Sequence, residues 1–159
     1  MRPDISNLLE IQNACLYRDD SLIFSDIDFH IEEGQLALIK GANGSGKTSL
    51  VRAICGFTEL SKGQVNWNQT SIDDMDSLYR EEIAYLGHKN GLIQEISATD
   101  NLSMNPNISD LNGLDELISG FDLDMAMHRP VEVLSSGQAK KIALIGLILS
   151  KRSVWIMDE

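Results

Sequence analysis

Cysteine and positive charge are scarce in this chain, and a long hydrophobic run is missing altogether. Its 159 residues hold two cysteines, Cys15 and Cys55, and neither lies in a C-x-x-C or other metal spacing. A cysteine-bound metal is therefore not expected, and both read as buried thiols of a reducing cytosol. Lys and Arg number 13 against 24 Asp and Glu, a formal charge of -11. Nucleic acid and anionic lipid would repel such a surface, and no run of Lys and Arg marks a local exception. The longest apolar segment, Ile142 to Leu149, is too short to cross a bilayer and is interrupted by Gly146. Any membrane role must then come through a partner. Met1 to Glu10 lacks a basic start followed by an apolar stretch, so no signal peptide is expected. Repeats and low-complexity tracts are absent too. What remains is ordinary globular composition, 43% hydrophobic and 23% charged, with length enough for one domain and its core.

Residues 8–17 and 22–31 read as strands, joined by the polar turn Asp19-Asp20-Ser21. The second alternates, with Ile23, Ser25, Ile27 and Phe29 against Phe24, Asp26, Asp28 and His30. Residues 35–40 contain Leu36-Ala37-Leu38-Ile39, which predicts a strand buried on both faces, as in a parallel sheet. A helix is predicted over 48–55, ended by Gly56. A short strand over 63–68, a helix over 75–82 and a buried strand over 83–86 follow. From Ser97 to Val133 the texture suggests a helical insertion, with helices at 114–118 and 123–127. Residues 136–149 are apolar nearly all round and predict a buried helix, and 154–157 a last buried strand.

Gly41-Ala42-Asn43-Gly44-Ser45-Gly46-Lys47-Thr48 fits the phosphate-loop pattern G-x-x-x-x-G-K-[ST]. A polyphosphate is a dense cluster of anionic oxygens that side chains would crowd. Glycines let successive backbone N–H groups form a concave cradle, and the next helix turns its positive dipole end to the same charge. Lys47 would reach the β and γ phosphates of ATP, and the Thr48 hydroxyl would ligate Mg²⁺, a hard ion that prefers oxygen. A surface glycine turn before a helix is the plainer alternative. A chance match to the pattern in a chain this long is on the order of one in 200.

Two further segments bear on that site. Val154-Trp155-Ile156-Met157 runs into Asp158-Glu159. Ligands of parallel sheets sit beyond the carboxyl ends of the strands. Asp158 would there serve the Mg²⁺, and Glu159 would orient or deprotonate the attacking water. Leu134-Ser135-Ser136-Gly137-Gln138 precedes the most apolar helix. Ser135 and Gln138 have capping-box spacing, which is a structural reason for both. It leaves Gly137 unexplained, since glycine in a first helical turn costs stability. Close approach of an anion, such as the γ-phosphate of an ATP on another subunit, would explain it.

The order of these motifs resembles the ABC ATPase family over essentially the whole chain. Gly137 lies 21 residues before Asp158 (158 − 137), as that family has it. The resemblance implies an α/β phosphate-loop NTPase fold with an N-terminal antiparallel β subdomain and a helical signature subdomain. It implies one domain over 1–159, with 1–90 and 150–159 as nucleotide-binding core and 91–149 as the helical part. Two such domains stack head to tail as a homodimer. Ser135, Gly137 and Gln138 of one then act on ATP held by the other's Gly41, Asn43, Gly44, Ser45, Gly46, Lys47, Thr48 and Ser49. Tyr17 stands where the family stacks an aromatic ring on adenine; a core or edge-strand tyrosine is its other reading.

Leu86-Gly87-His88, Gly91-Leu92, Ala98 and Asn101-Leu102 further resemble the ATP-binding subunits of cytochrome c maturation (haem) exporters. His88 replaces the family's Gln, which senses Mg²⁺ and contacts the membrane subunit. A lone His is a weak metal signal, so His88 reads as a polar group at the coupling surface. The implied partners are integral membrane subunits, not nucleic acid, and the implied place is the cytoplasmic face of the inner membrane. The family's domain continues past its Asp-Glu pair with a loop, a strand and a switch histidine. That C-terminal part is expected to be missing here, so ATP binding is expected ahead of turnover. The competing expectations are a hydrolysis-deficient nucleotide-binding module and a soluble, non-transport ABC ATPase.

Overall fold

The computed structural model describes residues 8–75, 77–87 and 89–158, with Leu8 as backbone only. They fall into two compact units divided between Ile83 and Ala84.

The first unit is built on an antiparallel sheet. Strands β1 (Leu8–Arg18), β2 (Ser21–Glu32), β3 (Lys62–Trp67) and β4 (Thr70–Ser71) pair in the order β2-β1-β3-β4. The alternation read from β2 holds over most of its length. Ser25, Ile27 and Phe29 are half-buried, and Asp26, Asp28 and His30 are exposed. Strand β1 does not alternate simply. Its pairing shifts between Ile11 and Ala14, where Asn13 adopts a left-handed φ of 46° and gives its N–H to Asp28 Oδ1 at 2.8 Å. Such a bulge redirects the side chains that follow, and Ala14, Cys15 and Leu16 are all buried in succession. Opposite it stands Gly63, at φ 80°, where a Cβ would collide with the carbonyls of Gln12 and Asn13. Asn68 and Gln69, both left-handed, make the two-residue turn between β3 and β4.

Helix α1 (Lys47–Ile54) buries Leu50, Val51, Ala53 and Ile54. Its end is a Schellman motif. Gly56 is left-handed at φ 68°, Gly56 N–H donates to Ala53 O, and Phe57 N–H donates to Arg52 O at 2.8 Å. A second tether comes from helix α2 (Leu78–Glu82). The buried Tyr79 hydroxyl donates to Ile54 O at 2.9 Å, in the last turn of α1. Burial pushes the Tyr79 phenol pKa above its ordinary value, with Cys55 beside it adding to the rise. Both cysteines are buried thiols outside any disulfide.

In the second unit, strands β5 (Ile83–Leu86) and β6 (Val154–Met157) pair with each other. Helices α3 (Ala98–Ser103), α4 (Leu114–Gly120) and α5 (Ser136–Leu149) complete it. The expected buried helix is α5. Ala143 and Leu147 join Ala84 and Leu86 of β5 in one cluster. Ile142, Ile145 and Leu149 join Ala98, Leu102, Leu123, Ala126 and Met127 in another. At about 2 kcal/mol per buried aliphatic side chain, α5 is the main apolar investment of this unit. At Gly146 the α3 side chain Leu102 packs close, 3.4 Å from where a Cβ would stand.

Three expectations need correction. Residues 35–40 form no strand, and Leu36 and Leu38 are 88% and 72% exposed. An apolar run becomes a strand only by pairing, and no described residue pairs with it. Strand β6 forms but is not buried, for Trp155 and Met157 remain 49% and 50% exposed. Residues 123–127 are turns and not a helix. The chain reverses there through the left-handed Asp122, and Ala126 N–H closes on Leu123 O at 2.7 Å.

Replacing Tyr79 with Phe leaves the Ile54 carbonyl without its donor while keeping the ring. A loss of about 1–2 kcal/mol is expected, read as a lower urea midpoint at unchanged m-value.

Candidate functional site

The segment 41–48 is a glycine-bent loop running into the start of α1. Gly44 and Gly46 are both left-handed, at φ 80° and 88°. At Gly46 the constraint is double, because a Cβ would lie 2.9 Å from Ile23 Cγ2 and 3.2 Å from Ile23 O. Gly44 has nothing within 4 Å of such a Cβ, so there only the backbone angle demands glycine. A Cβ on Gly41 would come within 2.5 Å of Ser45 Oγ. The Ser45 amide closes a turn on Ala42 O at 3.2 Å, with Asn43 exposed inside it.

The electrostatics follow from how α1 begins. Gly46 stands at its N-cap, no side chain caps it, and its first turn holds no acid. Among the described residues, neither a side-chain cap nor a first-turn acid thus offsets the positive dipole end. Lys47 Nζ donates to Gly41 O and Ala42 O, both at 2.9 Å, so the ammonium is folded onto its own loop. Charge-assisted bonds to phosphate oxygens are stronger than bonds to neutral carbonyls, so a polyphosphate would displace these two. Thr48 is exposed and Ser49 half-buried in the same first turn. The residues present therefore fit an anionic polyphosphate.

Tyr17 belongs to the same unit. Its N–H donates to Ser61 Oγ at 2.9 Å, and its side chain is 49% exposed. It pairs with Leu22 across the β1–β2 hairpin, beside the Ile23 that packs on Gly46. Its ring is left open to solvent. The residue that sequence reasoning passed over is Ile23. It reads as one more position in an alternating strand, and its contact with Gly46 spans too much chain to leave a local signal.

The remaining expected residues lie in the second unit or outside the described residues. Asp158 is half-buried, and its N–H donates to Leu86 O at 2.9 Å, which fixes it beside the end of β5. Ser135 caps α5 in a full capping box. Gln138 N–H donates to Ser135 Oγ at 3.2 Å, and Ser135 N–H to Gln138 Oε1 at 3.0 Å. Around Gly137 a Cβ would meet nothing nearer than Ser135 Oγ at 4.0 Å. Packing among the described residues gives no reason for glycine there. His88 and Glu159 lie outside the described residues. Among the described residues no group of three or more His, Cys, Asp or Glu is placed to hold a metal ion. No helix among them is long and apolar enough to cross a membrane.

Comparison with known proteins gives this arrangement a context. The family described as ABC transporter matches residues 24–159. The cytochrome c biogenesis ATP-binding export protein CcmA of Vibrio cholerae is 34% identical over an alignment of 156 residues that covers 96% of this chain and 75% of that protein. The protein of the same name from Nitrosomonas europaea is 32% identical over 161 residues, covering 99% and 76%. Among solved structures, cbiO1 of Clostridium perfringens, part of the ABC transporter complex cbiONQ, superposes with a TM-score of 0.80 at 23% identity. The alignment covers 97% of this chain and 66% of that one. An ATP-binding subunit of an ABC transporter gives 0.82 at 22% identity, covering 96% and 66%. The chain thus spans about three quarters of the length of the curated relatives and 66% of these solved chains.

The cap and the glycine of 135–138 separate by substitution. Ser135→Ala is expected to cost about 1 kcal/mol of stability. Gly137→Ala is expected to be neutral or to stabilise by up to about 1 kcal/mol. Thermal unfolding of both variants reads the difference in sign.

Proposed function

Since the chain belongs to the ABC transporter family and has its phosphate-loop fold with an antiparallel β subdomain, we propose that it is the ATP-binding and ATP-hydrolysing subunit of an exporter serving cytochrome c biogenesis. The carrying observation is the bare start of α1, with two left-handed glycines before it and Lys47 parked on the loop carbonyls. ATP would be held by Gly41, Asn43, Gly44, Ser45, Gly46, Lys47, Thr48 and Ser49, with adenine on the open ring of Tyr17.

Thr48 and Asp158 offer a hydroxyl and a carboxylate, hard oxygen donors suited to Mg²⁺, which is commonly held by few protein ligands plus phosphate. The ion would supply charge neutralisation between the phosphates. Glu159 would orient the attacking water, and His88 would sit at the coupling surface. Residues 1–90 with 150–159 would form the nucleotide-binding core, and 91–149 the helical part.

Ser135, Gly137 and Gln138 would meet ATP held by a second copy, head to tail. The open space at Gly137 supports this by leaving room for a phosphate at the start of α5. The export role rests on the relatives whose names carry it. It implies integral membrane subunits as partners and a peripheral place on the cytoplasmic face of the inner membrane.

Lys47→Ala tests the core of this reading. Titration with a fluorescent ATP analogue in the presence of Mg²⁺ is expected to show at least about a hundredfold weaker binding, as loss of a buried charge-assisted contact implies. Unchanged affinity in a variant with native circular dichroism would overturn the assignment.

A further inference from the structure

Between the end of β5 and the start of α5, the second unit contains a hydrogen-bonded strap made of two segments distant in sequence. Residues 94–99 run against residues 127–132. Glu132 N–H donates to Gln94 O at 3.0 Å, and Val131 N–H donates to Ile96 O at 3.1 Å. Ser97 and Pro130 form a β-bridge. Ala98 N–H donates to Arg129 O at 3.3 Å, and Thr99 N–H to Met127 O at 3.0 Å. The Thr99 hydroxyl donates to the same Met127 carbonyl at 3.1 Å. One side of the strap continues into Leu134, whose N–H donates to Val131 O, and then into the capping box at Ser135.

The other side is held by the cap of α3, where Asp100 N–H donates to Ser97 Oγ and Asn101 N–H to Ser97 O, both at 3.0 Å, and by one buried amide. Asn101, in α3, is one of two buried polar residues among those described, the other being Asn66. Its Oδ1 accepts from Ile93 N–H at 2.7 Å. Its Nδ2 donates to Ile93 O at 2.9 Å and to Ser97 O at 3.0 Å, with Ile96 O more distant at 3.5 Å. Both ends of the 93–97 loop are thereby pinned to one side chain. An aliphatic residue would fill the space at least as well. The buried amide is explained by the donor and acceptors it satisfies, since a polar group is costly to bury without partners. A fully satisfied buried polar network fixes one geometry more sharply than packing alone.

We propose that Asn101 is a positioning residue: through the loop 93–97 and its pairing with 130–132, it sets where Ser135 and Gly137 stand at the start of α5. This deepens the reading of 135–138 as a nucleotide-facing segment and rests on it. Asn101 touches no nucleotide in that reading. It acts by holding the strap whose far end is the capping box.

Amide hydrogen exchange on the full chain tests it, with Asn101→Ala and the milder Thr99→Val compared with wild type. Both are expected to speed exchange at 93–97 and at 135–138 together, at least tenfold in Asn101→Ala, while exchange inside α5 at 142–147 changes less than twofold. Leu117→Ala, which loosens the same core from α4, is expected to leave 135–138 unchanged. A rise confined to 93–97 would overturn the proposal, as would an equal rise in the Leu117 variant. If Asn101→Ala loses its fold, Thr99→Val decides by the same criterion. Affinity for the fluorescent ATP analogue is expected to stay within twofold of wild type in both strap variants. Failure of wild type to bind that analogue would sink the nucleotide reading and leave the strap result standing.

Discussion

The nucleotide reading of this protein depends on a helix that starts with no side-chain cap. Helix α1 begins on a left-handed glycine, with no capping oxygen and no acid in its first turn. A helix end carries four unsatisfied N–H groups and a partial positive charge, and sequences usually neutralise both. Here two left-handed glycines bend the loop, and Lys47 lays a positive charge across it. The local polar imbalance is resolved most directly by an anion with several oxygens.

The chain supplies its own contrast. Helix α5 starts with a complete capping box, its Ser135 hydroxyl and Gln138 amide already engaged with the backbone. The two helix starts follow opposite designs. One has no side-chain cap and follows two left-handed glycines. The other is closed by a full capping box, with a glycine at its second position. A capped terminus suits a surface that meets a partner without rearranging, and the strap pinned by Asn101 leads into it.

Scaffolding differs between the units in kind. In the first, a bulged β1 and the close approach of Gly63 shape the sheet, while Tyr79 and the Schellman turn hold the far end of α1. In the second, α5 lies between two apolar clusters and carries β5 on one side. Apolar side chains at 36, 38, 155 and 157 stay in solvent in spite of their sequence character.

The amino-acid order alone determined the phosphate loop, the capping box, the amphipathic β2 and the buried α5, because each is a local pattern. Glycine spacing, a Ser-x-x-Gln pair and a hydrophobic period are all set within a few residues. Tertiary structure decided what depends on partners far along the chain. Residues 35–40 read as a strand, yet a strand exists only where another backbone pairs with it. Leu123–Met127 read as helix, yet the reversal at Asp122 turned it into tight turns. Ile23 over Gly46 and Asn101 across the 93–97 loop left no periodic mark, since a contact between distant segments is fixed by packing, which a single sequence does not spell out.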